Sequence, residues 1–124
     1  MNDNAGIVTI APNVLVTIVQ KTAATVPGIA QLADSVPGVK RLLGRQTVGK
    51  GVEVDVVDDH VCVDIYLIAK RDVNLYQMGR QLQRKITRAI EDIVGMQVRE
   101  VNVHIEDVQT ELASEKDTGE DWAE

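Results

Sequence analysis

The segment Gly95–Val108, which reads GMQVREVNVHIEDV, decides how this chain is expected to fold. It begins with a glycine, the residue most typical of the end of a helix. Branched apolar residues then occupy every second position, the period expected of a strand that is buried on one face. The residues that follow are polar, acidic and aperiodic. We therefore predict that this strand completes a folded domain of residues 1–108 and that residues 109–124 form a disordered acidic tail.

The composition restricts the core and the cellular compartment. A length of 124 residues is enough for one domain to bury a core without metal or disulfide support. That core is aliphatic, because the chain has 20 valines, one tryptophan, two tyrosines and no phenylalanine, a bias that favours β-structure. The single cysteine, Cys62, excludes an intramolecular disulfide and a cysteine-cluster zinc site. Since no signal peptide or membrane-spanning stretch is visible, we expect a cytoplasmic protein.

The acidic charge is concentrated at the C-terminal end. The formal net charge is −6, and residues 109–124 carry six acids and one base, a net charge of −5. Residues 1–108 are therefore nearly neutral, at −1. The low isoelectric point of the chain therefore comes mainly from residues 109–124, while residues 1–108 have basic patches of their own.

Apolar patterning in the first part of the chain predicts a strand and a helix. The segment Gly6–Ile10 has the composition of a short strand, and Pro12 suits the first turn of a helix that runs to about Thr25. This helix is apolar over most of its circumference, so we expect it to be covered on more than one side. Two Pro-Gly turn signals follow, at residues 26–29 and 36–39.

The second half of the chain predicts a hairpin and a second helix. Residues 48–69 alternate as two strands around a turn at Asp58 and Asp59. The second of these strands is apolar on both faces, which indicates a central or covered strand. An amphipathic helix follows, capped by Asp72 or Asn74 and ended by the glycine that precedes the last strand.

The predicted order of elements is thus β-α-β-β-α-β. With right-handed crossovers, this order predicts an α+β fold, a two-layer sandwich in which a four-stranded sheet carries two helices on one face. The order of the strands within the sheet stays open.

Several stretches of the chain together resemble one bacterial protein family. They are Gly6–Ile10 (GIVTI), Val26–Ile29 (VPGI), Gly44–Val54 (GRQTVGKGVEV), Val61–Tyr66 (VCVDIY), Glu91–Gly95 (EDIVG) and Val98–Val108 (VREVNVHIEDV). Their order and spacing resemble the alkaline-shock and Gls-type general stress proteins, an envelope stress response family, over residues 6–108. The chain departs from the usual sequence of the family at Pro12 and Asn13, where a polar residue and an acid are more common.

The resemblance implies a non-enzymatic cytoplasmic protein linked to cell-envelope homeostasis and stress. Some members of the family self-assemble and are held at the membrane by a separate anchor protein, and others are associated with lipid synthesis. The family has no established catalytic or cofactor residues. The resemblance therefore implies a homo-oligomer with a membrane-anchor partner protein, no cofactor and no small-molecule substrate.

The residues themselves predict no catalytic, cofactor or metal site. A Cys62–His104 pair would need hydrogen-bond reach, and we expect their strands not to be neighbours. Cys62 then serves as a small buried residue, and His104 lies on the polar side of its strand. His60 stands beside two turn aspartates, but three adjacent side chains cannot surround a metal ion. The glycines within residues 44–51 do not match a phosphate-binding loop.

Basic residues form two clusters that favour contact with an anionic partner. The predicted contacts are Lys40, Arg41, Arg45, Lys50, Arg80, Arg84 and Arg88. The three later arginines recur at four-residue intervals on the side of the second helix opposite its apolar stripe, where like charges repel one another. Two explanations stay open. One is a solvated helix face, and the other is an anionic partner such as phospholipid, nucleic acid, an acidic protein or the chain's own tail.

An oligomerising interaction or adaptor module is the leading functional hypothesis. The first helix and the strand around Tyr66 have more apolar surface than a lone two-layer domain is expected to cover. The predicted contacts between copies are Val16, Val19, Tyr66 and Ile68. The alternative is a nucleic-acid-binding module that uses the basic loop 40–50 and the arginines of the second helix. That alternative lacks exposed aromatic residues for base stacking, and Thr47 replaces the second glycine of a K-homology-type loop.

Overall fold

A computed structural model describes residues 5–36 and 47–110. The helices are α1 (Pro12–Ala23) and α2 (Leu75–Ala89), and α2 continues into a π-helical turn at Ile90–Val94. The strands are β1 (Ile29–Leu32), β2 (Thr47–Gly49), β3 (Val52–Val57), β4 (His60–Ala69) and β5 (Gln97–Val108). Over the described residues, the order of elements is α-β-β-β-β-α-β.

The five strands form one mixed sheet built around β4. Along its whole length, from His60 to Ala69, β4 pairs in parallel with β5. The opposite edge of β4 pairs antiparallel with β3 as far as Ile65 and with β1 from Leu67 onward. Beyond β3, the sheet is extended by β2. The prediction that this strand is central is confirmed. One of its faces enters the main core, and on the other face Tyr66 packs with Ala33 and Val36.

Both helices pack on one face of the sheet, and the predicted α+β class is confirmed. That face presents Val52 and Val54 of β3 together with every second residue of β4. One continuous core joins these strands to both helices. The helices contribute Leu15, Val16, Val19 and Ala23 from α1 and Met78, Leu82 and Ile86 from α2.

The prediction of four strands in the order β-α-β-β-α-β is wrong, because within the described residues the sheet has five strands and its first strand follows α1. Residues 6–10 belong to no strand, and Ile7 and Val8 are 88% and 91% exposed. The first strand, β1, instead follows Gly28, whose positive φ of 100° turns the chain back along the end of β4. Strand-forming composition alone does not make a strand, because the segment must also pair with another strand.

Within its own chain, α1 is covered on two sides. Pro12 lies in the first turn, where its missing N–H costs nothing. The helix packs against β2 and β3 on one side and against α2 on another. The two-sided coverage predicted from its apolar circumference is therefore provided by the chain itself.

The hairpin and the second helix follow their predicted signals. Asp58 and Asp59 both have positive φ, 51° and 63°, which gives the two-residue turn the twist that β3 and β4 require. Of the two predicted caps, Asn74 and not Asp72 caps α2, since its Oδ1 accepts a backbone N–H at 3.0 Å. Past the π-helical turn, the helix ends at Gly95, which is left-handed with a φ of 82°.

Candidate functional site

The sheet face that points away from the helices carries most of the polar strand residues. The strand pairing aligns these residues in two adjacent rows across β3, β4 and β5. One row is Glu53, Asp64 and Asn102, and the other is Asp55, Cys62 and Glu100. Glu53 and Asp64 are only 2% and 8% exposed. Buried carboxylates are uncommon and require polar contacts within the fold, so this face is a candidate for a functional site.

His104 joins Asp64 and Tyr66 into one contact across β4 and β5. Its Nε2 lies 2.9 Å from Oδ1 of Asp64. Its ring stacks on the ring of Tyr66, with centroids 4.4 Å apart and planes 11° apart. Our prediction that the strands of Cys62 and His104 are not neighbours is wrong, because β4 and β5 pair in parallel. His104 nevertheless lies opposite Tyr66, four residues beyond Cys62 and so about 13 Å along the strand.

Cys62 has the properties of an unreactive thiol. Partial burial and then the neighbouring Glu100 carboxylate raise the pKa of its thiol. A raised pKa keeps the group protonated near neutral pH, whereas a nucleophilic cysteine requires the thiolate. The geometry therefore does not make a nucleophile–base pair of Cys62 and His104.

His60 uses both ring nitrogens inside the chain. Its Nδ1 lies 2.9 Å from the carbonyl oxygen of Asp58, and its Nε2 lies 3.1 Å from Oε1 of Gln97. These contacts tie the hairpin turn to the beginning of β5. Across residues 5–36 and 47–110, no group of three or more His, Cys, Asp or Glu residues is placed to hold a metal ion.

The arginine row (Arg80, Arg84 and Arg88) lies on the exposed side of α2, opposite its buried residues. Arg80 is held in place, because its Nε donates to the hydroxyl of Tyr76 at 3.0 Å and its Nη1 donates to Oε1 of Gln83 at 2.9 Å. Its guanidinium carbon is 5.1 Å from the centre of the Tyr76 ring. Within the described part of the chain, Arg84 and Arg88 make no ion pair.

A groove between α2 and β5 runs beside the arginine row. It has a volume of about 430 Å³ and is lined by Leu75, Tyr76, Gly79, Arg80, Gln83, Val103 and Ile105. Gln83 bridges the groove, because its Nε2 donates to the carbonyl of Val101 at 2.9 Å. Sequence patterning gave no sign of this groove, since its walls come from elements whose adjacency depends on strand order.

Of the seven predicted basic residues, the structure describes Lys50 and the arginine row, and these lie at separate places. Lys50 lies in the turn between β2 and β3, across the sheet from β5, and its Nζ is 3.9 Å from Oδ1 of exposed Asp34. The arginine row instead belongs to α2, which packs along β5. Lys40, Arg41 and Arg45 lie outside the described residues, as do residues 111–124. Contact with an anionic partner stays a prediction.

Three of the four predicted self-association residues are buried in their own chain. Val16 and Val19 belong to the main core, and Tyr66 packs with Ala33 and Val36, while Ile68 is half-buried. Their apolar character is therefore accounted for without a second copy, and self-association through them stays a prediction.

Among the described residues, the largest group of exposed apolar side chains close together in sequence lies at the N-terminal end, while Val56, Tyr76 and Ile93 are exposed singly elsewhere. The N-terminal arm (residues 6–10) exposes Ile7, Val8 and Ile10, and Val14 in the first turn of α1 is also exposed. The sequence signal for this surface was the strand-forming segment itself, which we assigned to the sheet. An exposed apolar patch of this kind marks a site of protein or membrane interaction.

The fold is that of a small α+β protein. Its polar sheet face contains a His–carboxylate contact. Its exposed surfaces include an apolar N-terminal arm and the basic side of α2. Residues 1–110 match the model of the alkaline-shock protein 23 family, which is described by a cell envelope-related function. The chain belongs to this family. The resemblance drawn from the sequence is confirmed. None of the described helices is long and apolar enough to cross a membrane.

Several uncharacterized bacterial proteins are similar to the chain over most of its length. YqhY of Bacillus subtilis is 29% identical over 112 residues, which are 90% of this chain and 83% of that protein. Spy1614 of Streptococcus pyogenes is 22% identical, over 88% of this chain and 93% of that protein. Among solved structures, a variant of MamM CTD aligns with a TM-score of 0.47 and 10% identity, over 77% of this chain and 93% of that one.

Proposed function

We propose that the chain is a non-enzymatic interaction module of the cell envelope, which self-associates through its N-terminal arm and acts as an adaptor held at the membrane by a separate anchor protein. Membership of a family with a cell envelope-related function supports the setting. The observation that carries the self-association is the exposure of the arm, whose residues have strand-forming character and no strand partner among the described residues.

A second copy of the chain is the occupant that the sheet best accommodates. Although β5 is 12 residues long, it pairs only with β4 in the described part of the chain, so its outer edge is an available template for another strand. An arm of five residues spans about 17 Å as a strand, which fits beside the part of β5 that follows Val101. The groove beside this edge has an apolar side formed by Leu75, Val103 and Ile105, which suits Ile7. Val8 and Ile10 then lie on the opposite face of the added strand, because side chains alternate along a strand.

The nucleic-acid alternative receives no comparable support. Lys50 and the arginine row lie at separate places, and the row alone spans about 12 Å of helix. Nucleic-acid binding modules usually present a continuous basic surface along the backbone. We therefore do not propose this function.

Disruption of the arm tests the proposal. Ile7→Asp with Val8→Asp removes apolar contact area and adds two charges where copies would meet, so we expect the oligomer to shift toward the monomer. Asn13→Asp with Thr17→Asp adds the same charge at exposed positions of α1 and is the matched control. Size-exclusion chromatography with light scattering, over a range of protein concentrations, gives the mass of each variant.

The expected result is a concentration-dependent oligomer for the unaltered chain and the control, and a smaller species for the arm variant. A monomer at every concentration would contradict self-association. An oligomer that both double variants retain equally would place the contact elsewhere than the arm.

A further inference from the structure

The arginine row is an exposed basic surface whose second and third members are without an ion pair in the described residues. Arg84 and Arg88 are both exposed and stand one helical turn apart, so their charges repel. A depression of about 440 Å³ runs along them, lined by Gln83, Arg84, Thr87, Arg88, Glu91 and Asp92. Its two acids, Glu91 and Asp92, follow Arg88 along the chain, so the part formed by Arg84 and Arg88 is the part that suits an extended acidic segment.

The chain carries such a segment immediately after β5. Residues 111–124 lie outside the described residues and contain six acids and one base, a net charge of −5. The point at which this segment leaves the fold is fixed, because the backbone N–H of Gln109 donates to the carbonyl of Ala69 at 2.9 Å. The sign of its charge complements the arginine row.

The direction of α2 brings the row within reach of this segment. Ile105 of β5 lines the groove with Leu75 and Tyr76, at the beginning of the helix. Further back along β5, Val101 bonds to Gln83, so helix and strand run in opposite directions. The end of β5 therefore lies beside the beginning of α2, and the row extends away from it.

The distances allow the segment to cover the whole row. Seven residues of β5 separate Val108 from Val101, about 23 Å. From Gln83, which contacts Val101, a further five helical residues lead to Arg88, about 7.5 Å. Arg88 is thus about 30 Å from the end of β5. Fourteen extended residues reach about 48 Å, so the segment covers this distance with residues to spare.

We propose that residues 111–124 dock on the arginine row of their own chain, with the acids from Glu115 to Asp121 against Arg84 and Arg88. The docked segment covers the basic surface and competes with any other anionic partner for it. This inference does not rest on self-association, because it uses α2 and the C-terminal segment and not the N-terminal arm.

Trp122 provides a direct reporter, since it is the only tryptophan of the chain and follows Asp121. Its quenching by acrylamide, a neutral molecule, measures how accessible the segment is without a bias from charge. Docking by exposed ion pairs weakens as salt screens them. For the full-length chain, we expect the quenching constant to rise about twofold between low salt and about 0.5 M NaCl.

Two double variants with equal changes in net charge separate a specific site from a general charge effect. Arg84→Glu with Arg88→Glu should give high quenching already at low salt. Lys21→Glu with Lys50→Glu, at exposed positions on α1 and the β2–β3 turn, should behave like the unaltered chain. Equal behaviour of the two variants, or quenching in the unaltered chain that does not respond to salt, would overturn the proposal.

Heparin chromatography gives a second test of the same surface. Deletion of residues 111–124 should raise the salt concentration needed for elution when the arginine row is intact. In the Arg84→Glu, Arg88→Glu background, the same deletion should have a much smaller effect. If the deletion raises retention equally in both backgrounds, the segment acts through net charge alone and does not dock on the row.

Discussion

At the scale of single residues, the polar face of the sheet depends on His104. The residue bonds to buried Asp64 through Nε2 and stacks on buried Tyr66, so one side chain joins two strands by two different contacts. Sequence patterning placed His104 on the polar side of its strand but missed both contacts. They depend on the parallel pairing of β4 with β5, which the pattern of either strand alone does not specify.

His104→Ala should destabilise the fold by about 1–3 kcal/mol, because it removes a hydrogen bond to a buried carboxylate and an aromatic stack. His104→Phe keeps a ring beside Tyr66 and should recover part of that loss. Asn102→Ala, on the same strand, is the control and should change stability by less than about 0.5 kcal/mol. Urea unfolding followed by circular dichroism measures the change in unfolding free energy for each of the three variants. Equally small changes in all three would show that the contacts of His104 contribute little to stability.

At the scale of elements, Gly51 between β2 and β3 lets the hairpin pack beside the end of β1. Its φ is +65°, and a Cβ there would lie 2.8 Å from the carbonyl oxygen of Tyr66 and 3.0 Å from the N–H nitrogen of Ala33. Its own carbonyl accepts the N–H of Tyr66 at 2.8 Å. Both backbone conformation and available space therefore require glycine.

Gly51→Ala should destabilise the protein by more than Gly95→Ala. Both positions have positive φ, so both substitutions carry a backbone cost of about 1 kcal/mol. Only at Gly51 does the new methyl group also meet backbone atoms, whereas nothing lies within 4 Å of a Cβ at Gly95. We expect Gly51→Ala to lower the free energy of unfolding, measured in urea, by about 3 kcal/mol in total. Equal losses at the two glycines would show that the crowding is relieved without cost.

Local sequence patterns predicted best those elements whose type and ends are determined by their own residues. The two-sided apolar pattern of β4 indicated a central strand, and Gly95 marked the end of the second helix. In contrast, residues 6–10 have strand-forming composition but pair with no other described segment, and β1 is a strand because its backbone meets the end of β4. Pairing is a property of two segments, so a single segment predicts it poorly.

At the scale of the whole molecule, the surfaces divide between the two ends of the chain. The N-terminal arm exposes apolar residues that the fold leaves uncovered, and the C-terminal segment carries most of the net charge. The family's cell envelope-related function sets the context in which we propose these two surfaces to act. Self-association through the arm is the central claim, since the proposed adaptor role depends on it.

Disulfide trapping between copies tests that claim most directly. In a Cys62→Ser background, which removes the only native thiol, one chain carries Val8→Cys and a differently tagged chain carries a cysteine on β5, at Asn102 or Glu106. A disulfide forms only when the two Cα atoms approach within about 7 Å. A partner chain with Lys21→Cys, on the exposed side of α1, serves as the control. We predict that mild oxidation links Val8→Cys to β5 in mixed dimers and links it to the control much less. Equal yields from β5 and the control would contradict the proposed arm-to-edge contact.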